Sequence, residues 1–391
     1  MNFARRTRPC VTVPSLSGLP RRRALVIAVL AAATSAVVTL GAAAPEGSAK
    51  PSCQNTFIPV VGGSAEWLDP SRWTQGHVPL SSEAVCLLGP GFFVADLTGE
   101  GHAATVTITS NMTAALDIAS GSPCGDVSLT ALDGVTIGKH GSVTLASCTS
   151  QAGPHNALLD VGSSTIAVGT GGELGVVAGP AAASTVVGNV AANGGLFSTQ
   201  GNAGSVQIEG NLTLGSSAAF NPALDSSSAV ALDVTGTAAL SGTMFPALQG
   251  SAQVGDTFTV LTAGAVSGRF TGEGGHPFLH QPAEYFRLTY TQTEVDATVT
   301  VAKLHTPASA QVGGDMVVTG TGFPDGDTVE LTLRDAAHAK FSLGSTTADG
   351  LGGFTAQVTV PASAAPGKAV VTAQSTFDTS LKATSKLVLT G

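Results

Sequence analysis

The side chains able to do chemistry are few and far apart. His276-Pro-Phe-Leu-His280 has the i, i+4 spacing of a helical metal pair. Pro277 and the glycines Gly272, Gly274 and Gly275 oppose a helix there, so the pair reads as part of a surface loop. No serine has glycine at both −2 and +2, which removes the nucleophile elbow of esterases. A Walker loop, a complete G-x-G-x-x-G and H-E-x-x-H are also missing. In the central segment Asp117, Asp126, Asp133, Asp160, Glu173, Glu209, Asp225 and Asp233 occur singly, with no D-D or D-x-D pair. Calcium binding and carboxylate acid/base chemistry both need such groups clustered. Asp325-Gly-Asp327 has the composition of a turn. The sequence therefore assigns no catalytic, cofactor-binding or metal-ligating residue.

What must position any site is a chain of small residues. Of 391 residues, 43% are hydrophobic but only 5% aromatic and 11% charged, and 49 are glycine. Core volume must come from Val, Leu, Ile and Ala, with frequent tight turns between short strands. Arg21-Arg22-Arg23, the apolar run Ala24–Leu40 and a small-residue exit read as a secretory signal over residues 1–49, cleaved after Ala49 in preference to Ala44; the alternative is an uncleaved membrane anchor. Loss of that segment removes six arginines and one glutamate, moving the net charge from −9 to −14. An exported chain this acidic repels nucleic acid, and no membrane span is expected once the signal is cleaved. The expected location is secreted or cell-surface.

Cleavage leaves four cysteines, Cys53, Cys86, Cys124 and Cys148, an even number that reads as disulfides in an exported chain. Three pairings exist. The local one, Cys53–Cys86 with Cys124–Cys148, is favoured, and each bond would contribute about 3–4 kcal/mol by closing a loop of roughly 25–35 residues. Residues 50–95 read as an N-terminal cap that holds both tryptophans, Trp67 and Trp73. Two large rings can plug the open end of a solenoid; the alternative is a glycan-stacking platform.

From 96 to 302, short alternating apolar runs are punctuated by Gly138, Gly169, Gly188, Gly210 and Gly236. Within Val206–Leu214 and Leu232–Leu240 the even positions are apolar or glycine and the odd ones mostly polar. The copies close on Phe220-Asn-Pro-Ala-Leu224 and Phe245-Pro-Ala-Leu248. A glycine period of this size is too short for a propeller blade and suits one coil of a parallel β-helix. About eight to ten coils would make a rod roughly 40–50 Å long. The outward threonines of Thr105-Val-Thr-Ile-Thr109 do not recur on every coil, so they read as ordinary strand residues, not as an ice-binding array.

Gly210-Asn-Leu-Thr-Leu, Leu232-Asp-Val-Thr-Gly-Thr-Ala-Ala-Leu-Ser-Gly-Thr-Met, Val254-Gly-Asp-Thr-Phe-Thr-Val-Leu-Thr-Ala and Val266-Ser-Gly-Arg-Phe resemble the β-helical passengers of bacterial autotransporter-type surface proteins. The segment from Trp67 to Pro79 is similar to the W-x-D-x-x-N/R-W-x-x-G-x-x-P stretch found before β-solenoids in secreted bacterial proteins. Tyr290–Val301 alternates like the last strands of such a rod, and no run of lipid-facing barrel strands follows it. Residues 303–391 hold about seven short strands, and Gly320-Thr-Gly-Phe-Pro-Asp-Gly-Asp with Val329 is similar to immunoglobulin-like repeats of bacterial surface proteins. The expected fold is thus all-β: a right-handed parallel β-helix (solenoid) followed by an immunoglobulin-like β-sandwich. The expected role is non-catalytic adhesion or scaffolding at the cell envelope. Its partners would be envelope glycan or a host or neighbouring cell surface, with no cofactor. The alternatives are a polysaccharide lyase or glycoside hydrolase, which other parallel β-helices are, and a purely structural envelope rod.

Overall fold

A computed structural model describes residues 52–119, 124–150, 153–201, 204–225, 231–270, 272–273, 284–324, 326–376, 379 and 381–391. Residues 1–49, read from sequence as a secretory signal, and His276, His280 and Asp325 lie outside them. The described chain is all-β. Its only helical element is the 3-10 turn Pro70–Arg72, which the Asp69 carboxylate caps by accepting from the Ser71 N–H at 2.9 Å.

The chain winds as a β-solenoid of about seven turns between a broad sheet of 12 strands and a second sheet of 10. The broad sheet runs through Ala84–Gly89, Glu100–Ser110, Val127–Ile137, Ala157–Val168, Ala183–Ala192, Ser205–Glu209 with Leu212–Leu214, Asp233–Leu240 and Thr257–Gly268. The second runs through Phe92–Leu97, Thr113–Ala119, Gly141–Ala146, Glu173–Ala178, Leu196–Gly201, Ala219–Asp225 and Thr243–Met244. One strand from each sheet makes a coil, and neighbouring coils pair in parallel. The boundary expected at residue 95 falls inside Phe92–Leu97, because the cap segment already contributes coil strands.

Parallel register stacks like on like. Val85, Val106, Val135, Ile166, Val190, Leu212, Ala238 and Val266 form one unbroken inward column. Ala95, Leu116, Val143, Leu174, Phe197, Phe220 and Met244 form its counterpart on the second sheet. Phe197 and Phe220 stack with ring centroids 5.5 Å apart. Since both sheets bury one face against the other, alternation along each strand decides what lies inside.

The corners explain the glycines. In the turn from the broad sheet to the second, Gly138 and Gly169 donate to Ile108 O and Ile137 O of the preceding coil, both at 2.8 Å. The turns close when Gly141 and Gly172 donate back to Gly138 O and Gly169 O, at 3.0 and 2.9 Å. A Cβ on Gly141 or Gly172 would sit 2.5 or 2.6 Å from those same Ile108 and Ile137 carbonyls. A second corner bends the broad sheet itself. There a Cβ on Gly210 would lie 2.1 Å from Gly188 O, and one on Gly236 would lie 2.5 Å from Gly210 O. Beside this glycine stack runs an asparagine ladder: Asn189 Oδ1 accepts from Asn211 N and Nδ2 at 3.1 and 2.9 Å, and Asn211 Oδ1 accepts from Thr237 N at 2.8 Å.

The rod closes differently at its two ends. At the N-terminal end Trp67, Trp73, Phe57 and Phe93 form one aromatic plug. The two tryptophan rings meet edge to face at 4.7 Å, and Trp73 Nε1 donates to Trp67 O at 2.7 Å. At the other end Glu284–Tyr290 and Glu294–Val301 are the last strands of the broad sheet, as expected of Tyr290–Val301, but they join it antiparallel and not as a further coil. They form an antiparallel hairpin that pairs antiparallel with Thr257–Gly268. Reversal ends the stacking, because the next coil no longer finds a parallel edge.

Beyond the hairpin, eight strands form a 3-stranded sheet, Lys303–His305, Asp315–Thr321 and Phe354–Thr359, and a 5-stranded sheet, Ser309–Gln311, Lys382–Thr390, Gly367–Ser375, Thr328–Arg334 and Lys340–Thr347. They share a core of their own around Val318, Phe323, Leu331, Leu333 and Val371.

Candidate functional site

Tight turns on two corners fix the register, and the outward side chains therefore form columns as regular as the core. On the second sheet Glu66 pairs in register with Asp96, and Asp96 with Asp117. The column continues through Thr144, Gly175, Ser198 and Asn221. Three carboxylates thus occupy three successive strands at the inter-strand spacing of about 4.8 Å. This corrects the expectation of singly scattered acids. Asp96 and Asp117 are 21 residues apart, and Glu66 and Asp96 are 30 apart, so no local motif records the row.

The three carboxylates have different surroundings. Glu66 accepts from the Thr98 hydroxyl at 2.9 Å and the Thr98 N–H at 3.3 Å. Asp117 lies mid-sheet and half-buried; desolvation first, and then the Asp96 charge, push its carboxyl up to about 6, against a lowering hydrogen bond from Thr144. The parallel column, Ser64, Val94, Ala115, Ser142 and Glu173, is largely uncharged, and the Glu173 carboxyl is raised by desolvation. Phe92, 38% exposed, ends the same outward face of the strand that carries Val94 and Asp96. Such a surface offers hydrogen-bond acceptors, one carboxyl able to hold a proton near neutrality, and an apolar rim. No group of three or more His, Cys, Asp or Glu among the described residues is placed to hold a metal ion.

A second polar row lies at the far end of the broad sheet. Gln207, Asp233, Thr262 and Glu294 pair in register, and Asp233 accepts from Thr262 Oγ1 at 2.7 Å. Thr259 Oγ1 lies 3.0 Å from both Glu294 and Asp296, which ties these acids into the closing hairpin.

The residues singled out from sequence are placed as follows. Cys53 bonds Cys86 and Cys124 bonds Cys148, with Cα atoms 5.6 and 6.2 Å apart, the local pairing. Trp67 and Trp73 are 0% and 1% exposed, so neither ring has a face to offer a sugar. Thr107 and Thr136 do stack outward in one column, but it continues as Ala167 and Ala191. Disulfides are compatible with an extracytoplasmic protein. No helix among the described residues is long and apolar enough to cross a membrane.

No family model matches the chain, and no curated protein matches it. Among solved structures, chitinase ChiW from Paenibacillus sp., described as a bacterial cell-surface-expressed multi-modular enzyme, aligns at 14% identity with a TM-score of 0.17. That alignment covers 84% of this chain and 24% of the chitinase. A superoxide reductase (neelaredoxin) from Ignicoccus hospitalis aligns at 10% identity and a TM-score of 0.18, over 23% of this chain and 80% of the reductase. At such scores neither likeness bears on activity.

Proposed function

We propose that this protein is a secreted or cell-surface rod that binds or scaffolds at the cell envelope. In this reading the solenoid is similar to autotransporter passengers, and residues 303–391 form an immunoglobulin-like sandwich. Two sheets of three and five strands around a separate core support that assignment. The carrying observation is the outward column Asp96–Asp117–Thr144–Gly175–Ser198–Asn221. Six successive coils present small or polar side chains along one open sheet, a surface that an extended envelope polymer can follow. The acidic charge argues against nucleic acid as that polymer. The test is binding of the mature chain to a glycan and matrix-protein array, together with fractionation of producing cells. Retention on a glycan or matrix class, or co-fractionation with the envelope, supports the proposal. A chain that is wholly soluble and retained by nothing refutes it.

One observation favours a second reading, glycan cleavage. Retaining glycosidases hold two carboxyl groups about 5–5.5 Å apart, a separation that in-register neighbours such as Asp96 and Asp117 can reach. Asp117, whose carboxyl is raised, would be the acid and Asp96 the nucleophile. Release of new reducing ends from a polysaccharide panel, lost in D117N, would establish it; no release from any substrate would end it.

A further inference from the structure

The third corner of the coil, from the second sheet back to the broad one, includes several loops longer than those leading from the broad sheet to the second. In one of them Cys148–Ser150 and Gly153–His155 pair as a short antiparallel hairpin that belongs to neither solenoid sheet. The Cys124–Cys148 disulfide ties this hairpin to the segment that leads into Val127–Ile137. Cys148 precedes Ser150 by two residues, and Cys124 precedes Asp126 by two. The staple therefore draws Ser150 and Asp126 toward the same place. His155 lies between them. Its Nε2 is 3.0 Å from Ser150 Oγ, and its Nδ1 is 3.8 Å from Asp126 Oδ1. The loop is anchored around the three groups: Asp126 Oδ1 accepts from Asn156 N at 2.8 Å, Val127 N donates to Asn156 O at 3.1 Å, and Thr149 Oγ1 donates to Pro180 O of the next coil.

We propose that Ser150, His155 and Asp126 form a nucleophile–base–orienter set that hydrolyses short-chain acyl esters. The proposal does not depend on what the rod binds. A hydroxyl hydrogen-bonded to an imidazole, with a carboxylate on the opposite ring nitrogen, is the arrangement by which serine is activated on unrelated folds. As Ser150 Oγ bonds to the ester carbonyl carbon, its proton passes to His155 Nε2. Collapse breaks the carbon–alkoxy bond, and the leaving alcohol takes that proton, which leaves acyl-Ser150. Water then attacks the acyl carbon and gives a proton to Nε2; the acid departs and Ser150 Oγ recovers the proton. One ester and one water become one acid and one alcohol. Asp126 favours the tautomer with Nδ1 protonated and stabilises the imidazolium. Its side chain is 78% exposed, so solvent screens that field and the rate stays well below that of a buried set. Ser150 is half-buried beside a two-residue hairpin connection, which suits a small acyl group.

The test uses the full mature chain with p-nitrophenyl acetate as substrate and a fluorophosphonate probe mapped by peptide mass spectrometry. The expected result is one label per chain, on Ser150, and an S150A variant whose hydrolysis falls at least 100-fold, to background. H155A should lose label and turnover alike. D126N should lose about tenfold in kcat with little change in KM. Labelling of the unaltered chain reads the nucleophile directly, so the test does not depend on any variant folding. Absence of label on Ser150, or hydrolysis unchanged in S150A, overturns the proposal. A D126N rate equal to that of the unaltered chain overturns it as a three-residue set.

Discussion

Replacing Asp117 by Asn removes the carboxylate that the solenoid holds least willingly. Its carboxyl sits at about 6 in the folded chain against 3.8 ordinarily, from desolvation and then from Asp96. A gap of that size corresponds to about 3 kcal/mol of differential interaction at most, and partial solvation of the side chain reduces it to roughly 1–2 kcal/mol. The folded state binds this proton more tightly than the unfolded state does. Below pH ~4 both states are protonated and Asp117 costs nothing. As pH rises through about 4 to 6 the unfolded chain ionises first, and stability falls; above about 6 the loss is complete. D117N should therefore be more stable than the unaltered chain by about 1–2 kcal/mol at pH 7.5 and equal to it near pH 3.5. Urea denaturation at half-unit pH intervals gives both curves, the disulfides being kept oxidised throughout. D96N should recover a smaller part, because the charge of Asp96 is the lesser of the two raising causes. A D117N chain no more stable at pH 7.5, or with the same gain at both extremes, would refute the stacked-carboxylate reasoning.

Three further substitutions probe the architecture by the same denaturation measurement. Thr199 sits in the inward column between Val176 and Pro222 with its hydroxyl buried and without a partner among the described residues, so T199V should stabilise by about 1–2 kcal/mol. No gain would mean that the hydroxyl has a partner. G210A would force a Cβ onto the Gly188 carbonyl and should destabilise by about 2–4 kcal/mol; a neutral result would show that the corner can open. W73A removes a ring packed against both Trp67 and Phe57 and should cost about 3–5 kcal/mol, with loss of near-ultraviolet aromatic dichroism. Wild-type stability in that variant would place the plug outside the cooperative unit.

Much of the fold is legible in local pattern. Alternation over Val206–Leu214 and Leu232–Leu240 does bury Val206, Ile208, Leu212, Leu214, Leu232, Val234, Ala238 and Leu240. Gly188, Gly210 and Gly236 mark a corner because successive coils leave no room there for a Cβ. The two closing phrases show where such reading stops. Phe220 and Phe245 look equivalent, but Phe220-Asn-Pro has one residue more than Phe245-Pro. The coils align on Ala223 with Ala247 and on Leu224 with Leu248, which leaves Met244 beneath Phe220 and turns Phe245 outward at 39% exposure. One residue of turn length moves a side chain to the other face. The final hairpin escapes for a related reason: alternation is the same in parallel and antiparallel strands, so it carries no direction.

The candidate sites are less legible because they are made by register between coils. Glu66, Asp96 and Asp117 meet only after the lengths of two successive coils are known, and those lengths differ, so no fixed spacing reveals them. Ser150 and His155 are close in sequence, but a five-residue gap around a turn has no motif, and Asp126 reaches them through a disulfide. The cysteines were the available signal. A bond between Cys124 and Cys148 implies that whatever follows each cysteine by two residues shares one loop cluster, which places an acid near a serine. In a solenoid, then, the core can be read along the chain, whereas chemistry has to be read across it. Staples and turn lengths tell which residues lie across from which, and a scan for contiguous motifs discards that information. The same logic makes Cys124–Cys148 a control on the proposed ester hydrolysis: selective reduction frees Asp126 from the hairpin and should lower turnover about tenfold, as D126N does, while the aliphatic columns stay folded.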